Sequence, residues 1–320
     1  MDLIFCGTPA FAVPTLQSIL DHDAFRVRLV ITQPDRPAGR GMDIIPSPVK
    51  QLAESRSLSL AQPEKLKNNA ELRTQLEAIR PQVIVVVAYG RMIPQWMIDL
   101  PPLGNINLHA SLLPKYRGAA PIQWAIAMGE AVTGVTTMRI DSGLDTGDIL
   151  LQRELPLEPE DNAQSVTPRL AQLGAPLMVE TLLQLGAGMI APRPQESARA
   201  TLAPLLTKED GRIEWGRRAE EIHNRLRGFQ PWPGAFTSFR EKSLNVWEAR
   251  PSHTPGRKLA AGEITEENER VLVACGEGST LELITVQLEG KKRMSARDFL
   301  HGYRPVPGER LGETAKSSPA

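Results

Sequence analysis

The sequence contains few cysteines and few aromatic residues. Only Cys6 and Cys275 occur in 320 residues, and aromatic residues make up 5% of the chain. Cys6 lies inside the apolar run Leu-Ile-Phe-Cys-Gly, so we expect two buried free thiols, with one disulfide between them as the alternative. Free thiols are typical of a reducing compartment, and we therefore expect a cytoplasmic protein.

Long apolar runs and an excess of one charge are also missing. No stretch approaches the roughly 18 apolar residues of a transmembrane helix, and the first residues do not resemble a signal peptide. We therefore expect no membrane partner. The 37 lysines and arginines balance 37 aspartates and glutamates, so the composition gives no sign of a strongly basic nucleic-acid-binding protein.

Strand-like and helix-like segments alternate over residues 1–189. The predicted strands are 3–7, 25–32, 83–88, 105–109, 134–140 and 148–155, and the predicted helices are 10–20, 48–56, 68–79, 120–129 and 163–186. The continuous apolar run at 83–88 is typical of a central parallel strand that is covered on both faces. This order predicts a doubly wound, mostly parallel α/β sheet. Its first turn has one glycine where a dinucleotide fingerprint needs three, which does not support NAD binding.

The pattern changes after residue 189. Residues 190–206 contain three prolines and little periodicity, which indicates a linker. A helix near 217–228 and several short apolar segments follow, and they predict a small OB-like β-barrel. We therefore expect a catalytic domain over 1–189, a linker over 190–206 and a carboxyl-terminal domain over 207–320.

Two polar side chains share one face of the strand predicted at residues 105–109. Side chains alternate between faces along a strand, so Asn107 and His109 project together, about 7 Å apart. A later loop carries Asp141, Asp145 and Asp148, and any of them could reach the same crevice at the strand ends. Their spacing does not match a calcium-binding loop, and we predict no metal site.

An amide, an imidazole and a carboxylate together suit chemistry at a carbonyl group. The amide stabilises an oxygen that becomes negative, the imidazole transfers a proton and the carboxylate orients the ring. No serine or cysteine lies in a nucleophile elbow, but attack by a substrate amine would need none. The alternative is structural, with Asn107 capping a turn and His109 binding a backbone carbonyl.

The motifs around these residues resemble a known family. NINLHASLLPKYRGAAPIQWAI and DSGLDTGDIL are similar to the formyltransferases that use 10-formyltetrahydrofolate. VVAYGRMIP, the segment at 33–50, FQPWPGAF and GKKRMSARDFL resemble the branch of that superfamily that acts on methionyl-tRNA. The resemblance extends from the first strand to about residue 311, nearly the whole chain.

The resemblance implies a reaction and its site. The formyl group of 10-formyltetrahydrofolate would pass to the α-amine of methionyl initiator tRNA, with Asn107, His109 and Asp145 as the catalytic groups. The folate-binding residues that the resemblance implies are Ser111, Leu112, Leu113, Pro114, Tyr89, Gly90, Arg91, Met92, Ile93 and Asp141. It implies no metal, and we expect a monomer.

Binding of the tRNA would use basic residues in two regions. Arg36 and Arg40 lie in the proline-rich and glycine-rich loop at 32–48, where long loops are often functional. Lys208 lies where the linker meets the carboxyl-terminal domain. The family often has further lysines just before it, where this chain has Leu205 and Leu206. The other implied contacts are Lys291 and Lys292. Solvation alone is the alternative for the two arginines and for Lys291 and Lys292.

Two other functions are compatible with parts of the pattern. The same chemistry could act on a sugar nucleotide or on glycinamide ribonucleotide, although neither requires the arginine loop or the carboxyl-terminal domain. A folate-binding or RNA-binding module without turnover would not require Asn107, His109 and Asp145. Trp232, between two prolines, is expected to have a packing role and no chemical role.

Overall fold

The computed structural model describes residues 1–38, 43–252 and 259–313. Two compact units can be distinguished. Unit 1 consists of Met1–Pro121, Val132–Pro156 and Val166–Pro204; unit 2 consists of Ile122–Ala131, Leu157–Ser165 and the chain from Leu205 onward. The units are therefore not contiguous in sequence. Both cysteines are buried and free, as predicted.

The first 186 residues contain the elements of an α/β fold. The strands are β1 (Asp2–Gly7), β2 (Arg26–Ile31), β3 (Arg36–Ala38), β4 (Asp43–Ile45), β5 (Leu60–Ala61), β6 (Val83–Val87), β7 (Asn105–His109), β8 (Val132–Arg139) and β9 (Ile149–Pro156). The helices are α1 (Val13–Leu20), α2 (Pro48–Ser55), α3 (Ala70–Ile79), α4 (Gln95–Ile98), α5 (Pro121–Ala127) and α6 (Ala163–Gly186). The main sheet has the order β5-β2-β1-β6-β7-β8-β9.

The first five strands of the main sheet pair in parallel, and the last two strands each pair antiparallel with the strand before them. β6 lies between β1 and β7 and pairs with both in parallel. β8 runs antiparallel to β7, and β9 antiparallel to β8. All five residues of β6 are buried, as expected for an apolar strand with helices on both faces.

α6 approaches the sheet closely at β7. A Cβ added to Gly174 would lie 2.6 Å from the side chain of Leu108, so the glycine permits this contact. Leu108 points to the face opposite His109, because side chains alternate along the strand. Packing of α6 on that face leaves the other face of β7 for the polar residues.

Polar caps define the ends of the helices near the first strands. The Ser47 hydroxyl accepts a hydrogen bond from the Lys50 amide at 3.2 Å, and Pro48 occupies the first turn of α2. Asn69 caps α3 in the same way, through the Leu72 amide at 3.0 Å. Each such cap stabilises its helix by about 1 kcal/mol.

The predicted loop at 32–48 contains a two-stranded hairpin. β3 pairs antiparallel with β4, and Arg36 lies opposite Ile45. At the base, Asp35 forms an ion pair with Lys50 and accepts a hydrogen bond from Gln62 at 2.9 Å. The tip, residues 39–42, lies outside the described residues.

Unit 2 is built mainly from a curled antiparallel sheet. Its strands are β10 (Phe236–Phe239), β11 (Lys242–Ser252), β12 (Ile264–Glu267), β13 (Arg270–Ala274), β14 (Thr280–Leu288) and β15 (Met294–Ser295), and its helices include α7 (Ala219–Gly228) and α8 (Ala296–Tyr303). The order is β10-β11-β14-β13-β12, with β15 on β14. In the core, the rings of Phe239 and Phe299 meet edge to face at 4.9 Å. The predicted class, an α/β sheet followed by a small barrel-like β domain, is confirmed.

Candidate active site

His109 lies at the carboxyl end of β7 and is held through one ring nitrogen. Its residue is 5% exposed, and Nε2 lies 2.9 Å from the Tyr116 carbonyl oxygen. A carbonyl oxygen only accepts, so Nε2 carries a hydrogen and donates it. The backbone-carbonyl bond expected as the structural alternative is therefore present, but it engages only Nε2. Nδ1 is the nitrogen left to exchange a proton with a substrate.

Asp145 faces that second nitrogen. Its Oδ2 lies 3.7 Å from Nδ1 of His109, within ion-pair range but longer than a hydrogen bond. The same oxygen accepts the Gly118 N–H at 2.8 Å. Asp145 has a φ of 51°, in the left-handed region that aspartate enters more readily than most residues. The main chain thus fixes the carboxylate beside the imidazole.

Asn107 shares the face of β7 with His109 and is half-buried. Within the described part of the chain, its side chain makes no hydrogen bond, so both N–H groups of its amide are available to a ligand. Asn105 lies on the same face, but its amide donates to the carbonyls of Met97 and Ile98 at 3.0 Å. Only the second asparagine of this strand therefore has free donors.

The other aspartates of the 141–148 loop do not join this group. Asp141 accepts hydrogen bonds from the Thr146 hydroxyl at 2.7 Å and from the Gly143 amide at 3.0 Å, which close the turn. Asp148 offers its backbone carbonyl to the Arg139 amide at 2.9 Å. Of the three carboxylates that the sequence left open, Asp145 is the one the structure places against His109.

The stretch from Ser111 to Pro114 has two inward-facing members. Ser111 is fully buried, and its hydroxyl donates to the Lys115 carbonyl at 2.7 Å. Leu113 is buried among Met138 and Ile149, whereas Leu112 and Pro114 are half-buried. A ligand would therefore meet the side chains of Leu112 and Pro114 before those of Ser111 and Leu113.

The segment after β6 divides between core and surface. Tyr89 is buried, and burial raises the pKa of its phenol well above the usual range. Arg91 donates to the carbonyl oxygens of Pro63, at 3.1 Å, and of Glu64. Met92 is 82% exposed.

Two further members of this segment are constrained by their neighbours. Gly90 has a φ of +77°, and a Cβ there would lie 2.6 Å from Nε2 of Gln33. That Nε2 also donates to the Tyr89 carbonyl at 2.8 Å, so a side chain at position 90 would disturb this contact. Ile93 is half-buried and packs against the core.

The three lysines of unit 2 that are predicted to contact tRNA are at its surface. Lys208, Lys291 and Lys292 are all exposed. The ammonium of Lys208 lies 5.9 Å from the ring centroid of Phe236, and Arg293, next to the lysine pair, stacks on a tryptophan ring at 3.3 Å. Within the described ranges, none of the three lysines forms an ion pair, and all remain accessible to a polyanion.

The remaining predicted tRNA contacts have different outcomes. Arg36 begins β3, whereas Arg40 lies outside the described residues. Leu205 is 74% exposed and Leu206 is buried. Trp232, for which packing is expected, is 55% exposed.

Main-chain groups that complete the site could not be identified from the sequence. The Tyr116 carbonyl and the Gly118 amide hold His109 and Asp145. Every residue has a backbone carbonyl, and every residue except proline has a backbone N–H, so residue type does not reveal these groups. Among the residues described, no group of three or more histidines, cysteines and acidic residues could hold a metal ion.

Comparison with known proteins defines the class. The formyl transferase model matches residues 2–182, and the model of the formyl transferase carboxyl-terminal domain matches residues 205–304. An N-formyltransferase from Helicobacter canadensis, crystallised with folinic acid and dTDP-3-aminofucose, is similar with a TM-score of 0.64. That likeness covers 88% of this chain and 98% of the other, at 18% identity, and it concerns the fold. The fold is that of the formyl transferases.

Closer relatives narrow the assignment. The methionyl-tRNA formyltransferase of Koribacter versatilis is 63% identical over 314 residues, which covers 98% of this chain and 99% of the relative. The one from Acidobacterium capsulatum is 58% identical over 314 residues, covering 98% and 100%. The chain belongs to the methionyl-tRNA formyltransferase family.

Proposed function

We propose that the protein transfers the formyl group of 10-formyltetrahydrofolate to the α-amine of methionyl initiator tRNA. The observation that carries this proposal is the group at the end of β7. There, the Asn107 amide has free donors, and Nδ1 of His109 lies 3.7 Å from the Asp145 carboxylate. The choice of substrates is supported by the likeness to two methionyl-tRNA formyltransferases, which are 58–63% identical over 98% of the chain. The product, formylmethionyl-tRNA, would serve translation initiation.

The chemical step forms one carbon–nitrogen bond and breaks another. The neutral α-amine attacks the formyl carbon, and the formyl oxygen becomes a tetrahedral oxyanion. The oxyanion then collapses, the bond to N10 of the folate breaks, and N10 takes a proton while the former amine loses one. A free α-amine has a pKa of about 8, and its esterified carboxyl lowers this, so much of the amine is already nucleophilic at neutral pH.

The site residues would act at the oxyanion and at the protons. The Asn107 amide donates a hydrogen bond to the oxygen that becomes negative, the kind of preorganised donor that lowers such barriers most. Protonated His109 donates through Nδ1, since Nε2 is held by the Tyr116 carbonyl. Asp145 stabilises the charged ring, and His109 or a water held by Asp145 delivers the proton to N10.

Substrate binding would use the residues that the family resemblance implies. We propose that folate contacts Tyr89 to Ile93, Ser111 to Pro114 and Asp141. The exposed Met92 and the half-buried Leu112 and Pro114 have the most accessible side chains of these. Holding donor and amine together provides the effective concentration that such transfers require.

Binding of the tRNA would be shared along the chain. The proposed contacts are Arg36, Arg40, Lys208, Lys291 and Lys292. We propose that residues 1–189 carry catalysis, that 190–206 link the two parts, and that 207–320 bind tRNA. The exposure of the three lysines supports that role, because exposed lysines can neutralise phosphates.

We further propose a monomeric protein of the cytoplasm. The two buried free thiols support a reducing compartment. Among the described helices, none is both long and apolar enough to cross a membrane. Light scattering should give a mass near 35.2 kDa, and twice that value would contradict the monomer.

One assay tests the reaction. Purified protein is incubated with methionyl initiator tRNA and 10-formyltetrahydrofolate, and formylmethionine is scored by mass spectrometry after deacylation. Parallel reactions contain an amino-sugar nucleotide or glycinamide ribonucleotide in place of the tRNA. We expect product only with the tRNA, and His109→Ala should abolish it. Transfer to either small amine but not to the tRNA would contradict the proposal.

A further inference from the structure

Gln195 connects the Asp145 loop to the segment that holds His109. Its Nε2 donates to the Asp145 carbonyl at 2.8 Å and to the Gly147 carbonyl at 2.7 Å. Its Oε1 accepts from the guanidinium of Arg117, at 3.0 Å from Nε and 2.7 Å from Nη2. The half-buried side-chain amide is thus used at both ends.

The chemistry of these partners fixes the orientation of the amide. Arg117 is buried and can only donate, so it requires an oxygen at Oε1. The carbonyls of Asp145 and Gly147 can only accept, so they require the nitrogen. Glutamate, which has the same shape, would keep the first contact but would place a second oxygen against two carbonyl oxygens. Position 195 is therefore specific for glutamine.

Three consecutive residues hold three parts of the site. The Tyr116 carbonyl accepts from His109, the Gly118 amide donates to the Asp145 carboxylate, and Arg117 between them orients Gln195. Residues 116–118 are themselves fixed, because Arg117 forms backbone hydrogen bonds with Thr201 and Ala203 at 2.9 and 2.7 Å. A shift of Gln195 would thus move the Asp145 backbone relative to a stationary His109.

We propose that Gln195 is a positioning residue for the formyl transfer, oriented by Arg117 and acting through Asp145. By fixing the carbonyls of Asp145 and Gly147, it holds the loop so that the carboxylate stays beside Nδ1 of His109. Gln195 itself does not touch the reacting atoms. The inference rests on the proposed function for its catalytic consequence, but the structural link from Gln195 to Asp145 can be measured without any substrate.

The central experiment compares Gln195→Glu with Glu196→Gln in the full-length protein. Glu196 is exposed, and its carboxylate approaches only the neighbouring Arg199 among the described residues, at 3.7 Å. Both changes alter one atom of a side chain. We expect Gln195→Glu to lower kcat by about 10- to 100-fold with little change in either KM, because catalysis is sensitive to misplacement of about 1 Å. Glu196→Gln should leave kcat unchanged.

A double-mutant cycle separates positioning from general loosening of the fold. If Gln195 acts through Asp145, adding Gln195→Glu to Asp145→Asn should cause little further decrease in single-turnover rate. If the decrease in the double variant equals the product of the decreases in the two single variants, the proposal is overturned. An unchanged kcat in Gln195→Glu would also overturn it. Thermal melting verifies folding, and Gln195→Met, which lacks donors but keeps the length, replaces the Glu variant if that variant does not fold.

Hydrogen exchange at the Gly118 amide provides the substrate-free measurement. This amide donates to Asp145 Oδ2 at 2.8 Å, so its exchange reports whether the carboxylate is in place. We expect exchange at least about tenfold faster in Gln195→Met than in the unaltered protein or in Glu196→Gln. Unchanged exchange would overturn the proposal. Absence of formyl transfer by the unaltered protein would instead count against the proposed function alone.

Discussion

At the scale of single residues, the site depends on how each polar group of β7 is used. Asn105 donates its amide hydrogens to the carbonyls of Met97 and Ile98, and His109 donates through Nε2 to Tyr116. The groups that remain are the Asn107 amide and Nδ1 of His109. Residue type alone does not separate Asn105, whose amide donates within the protein, from Asn107, whose amide is available to a ligand, but their hydrogen bonds do.

The charge of Asp145 should matter more than its shape. Asp145→Asn keeps an oxygen that can accept the Gly118 N–H but removes the negative charge facing Nδ1 of His109. We expect kcat to fall by about 100-fold or more, the usual contribution of proton transfer by a positioned group. Steady-state formylation kinetics measure the change. Asp148→Asn is the control on the same loop, and an equal decrease there would contradict a special role for Asp145.

The two asparagines of β7 should respond differently to the same substitution. Asn107→Leu removes the proposed oxyanion donor, and removal of one such donor typically lowers kcat by about 10²- to 10³-fold. Asn105→Leu removes two hydrogen bonds to the end of α4 and should mainly lower the melting temperature. Calorimetry and turnover, measured on both variants, test this. A similar kcat for Asn107→Leu and unaltered protein would refute the oxyanion role.

At the scale of elements, β14 carries an acidic side chain between two arginines. Glu282 is 9% exposed at its side chain and accepts from Arg270 at 2.6 Å and from Arg250 at 3.0 Å. The hydrogen bond from Arg270, followed by that from Arg250, lowers the pKa of Glu282 below its usual value. These bonds join β14 to β13 and β11, which flank it in the strand order.

This arrangement predicts acid-dependent stability of unit 2. The folded pKa of Glu282 is below the unfolded pKa, so its contribution is complete above the ordinary value of about 4.3. That contribution disappears as the pH falls through the lower, folded pKa. Glu282→Gln should cost about 1.5–3 kcal/mol at pH 7, the range for hydrogen bonds to charged groups. Between pH 7 and pH 3, the free energy of unfolding should decrease less in the variant than in the unaltered protein. Equal decreases, measured by denaturation, would contradict this prediction.

At the scale of the whole molecule, the positive and negative charges balance, but some lysines are exposed and form no ion pair among the described residues. The chain has 37 basic and 37 acidic residues, so tRNA affinity cannot come from net charge. Lys291 and Lys292 form an exposed pair on the turn between β14 and β15. A polyanion would have to be bound by such local groups.

Salt dependence should reveal whether these lysines bind phosphates. Lys291 and Lys292 are changed together to alanine. The plot of log affinity for tRNA against log salt concentration should become less steep by about 1.5, because each phosphate that is no longer neutralised reduces its steepness by somewhat less than one. Filter binding at several salt concentrations measures the slope. Lys65 and Lys67, an exposed pair of unit 1, changed in the same way provide the control for net charge. Equal slopes for both double variants would contradict local binding of phosphate.

Agreement between sequence and structure is best where the pattern is local and long. The limits of β7 and α6 were predicted as observed, at 105–109 and 163–186. The short α4 was not predicted because four residues show no periodicity. The α8 helix was also not predicted, although Ser295 and Asp298 form a capping signal that the structure uses, with the Asp298 amide donating to the Ser295 hydroxyl at 3.0 Å.

The sequence by itself determined most strands, most helices and the shared face of Asn107 and His109, because alternation along a strand is a local property of the chain. The family motifs determined which aspartate to expect. Only the tertiary structure decided that His109 is held by the Tyr116 carbonyl, that Asp145 meets the other ring nitrogen, and that Gln195 reaches the same loop. The last two contacts join residues 36 and 50 positions apart, and local preferences carry no information about which groups will meet across such distances.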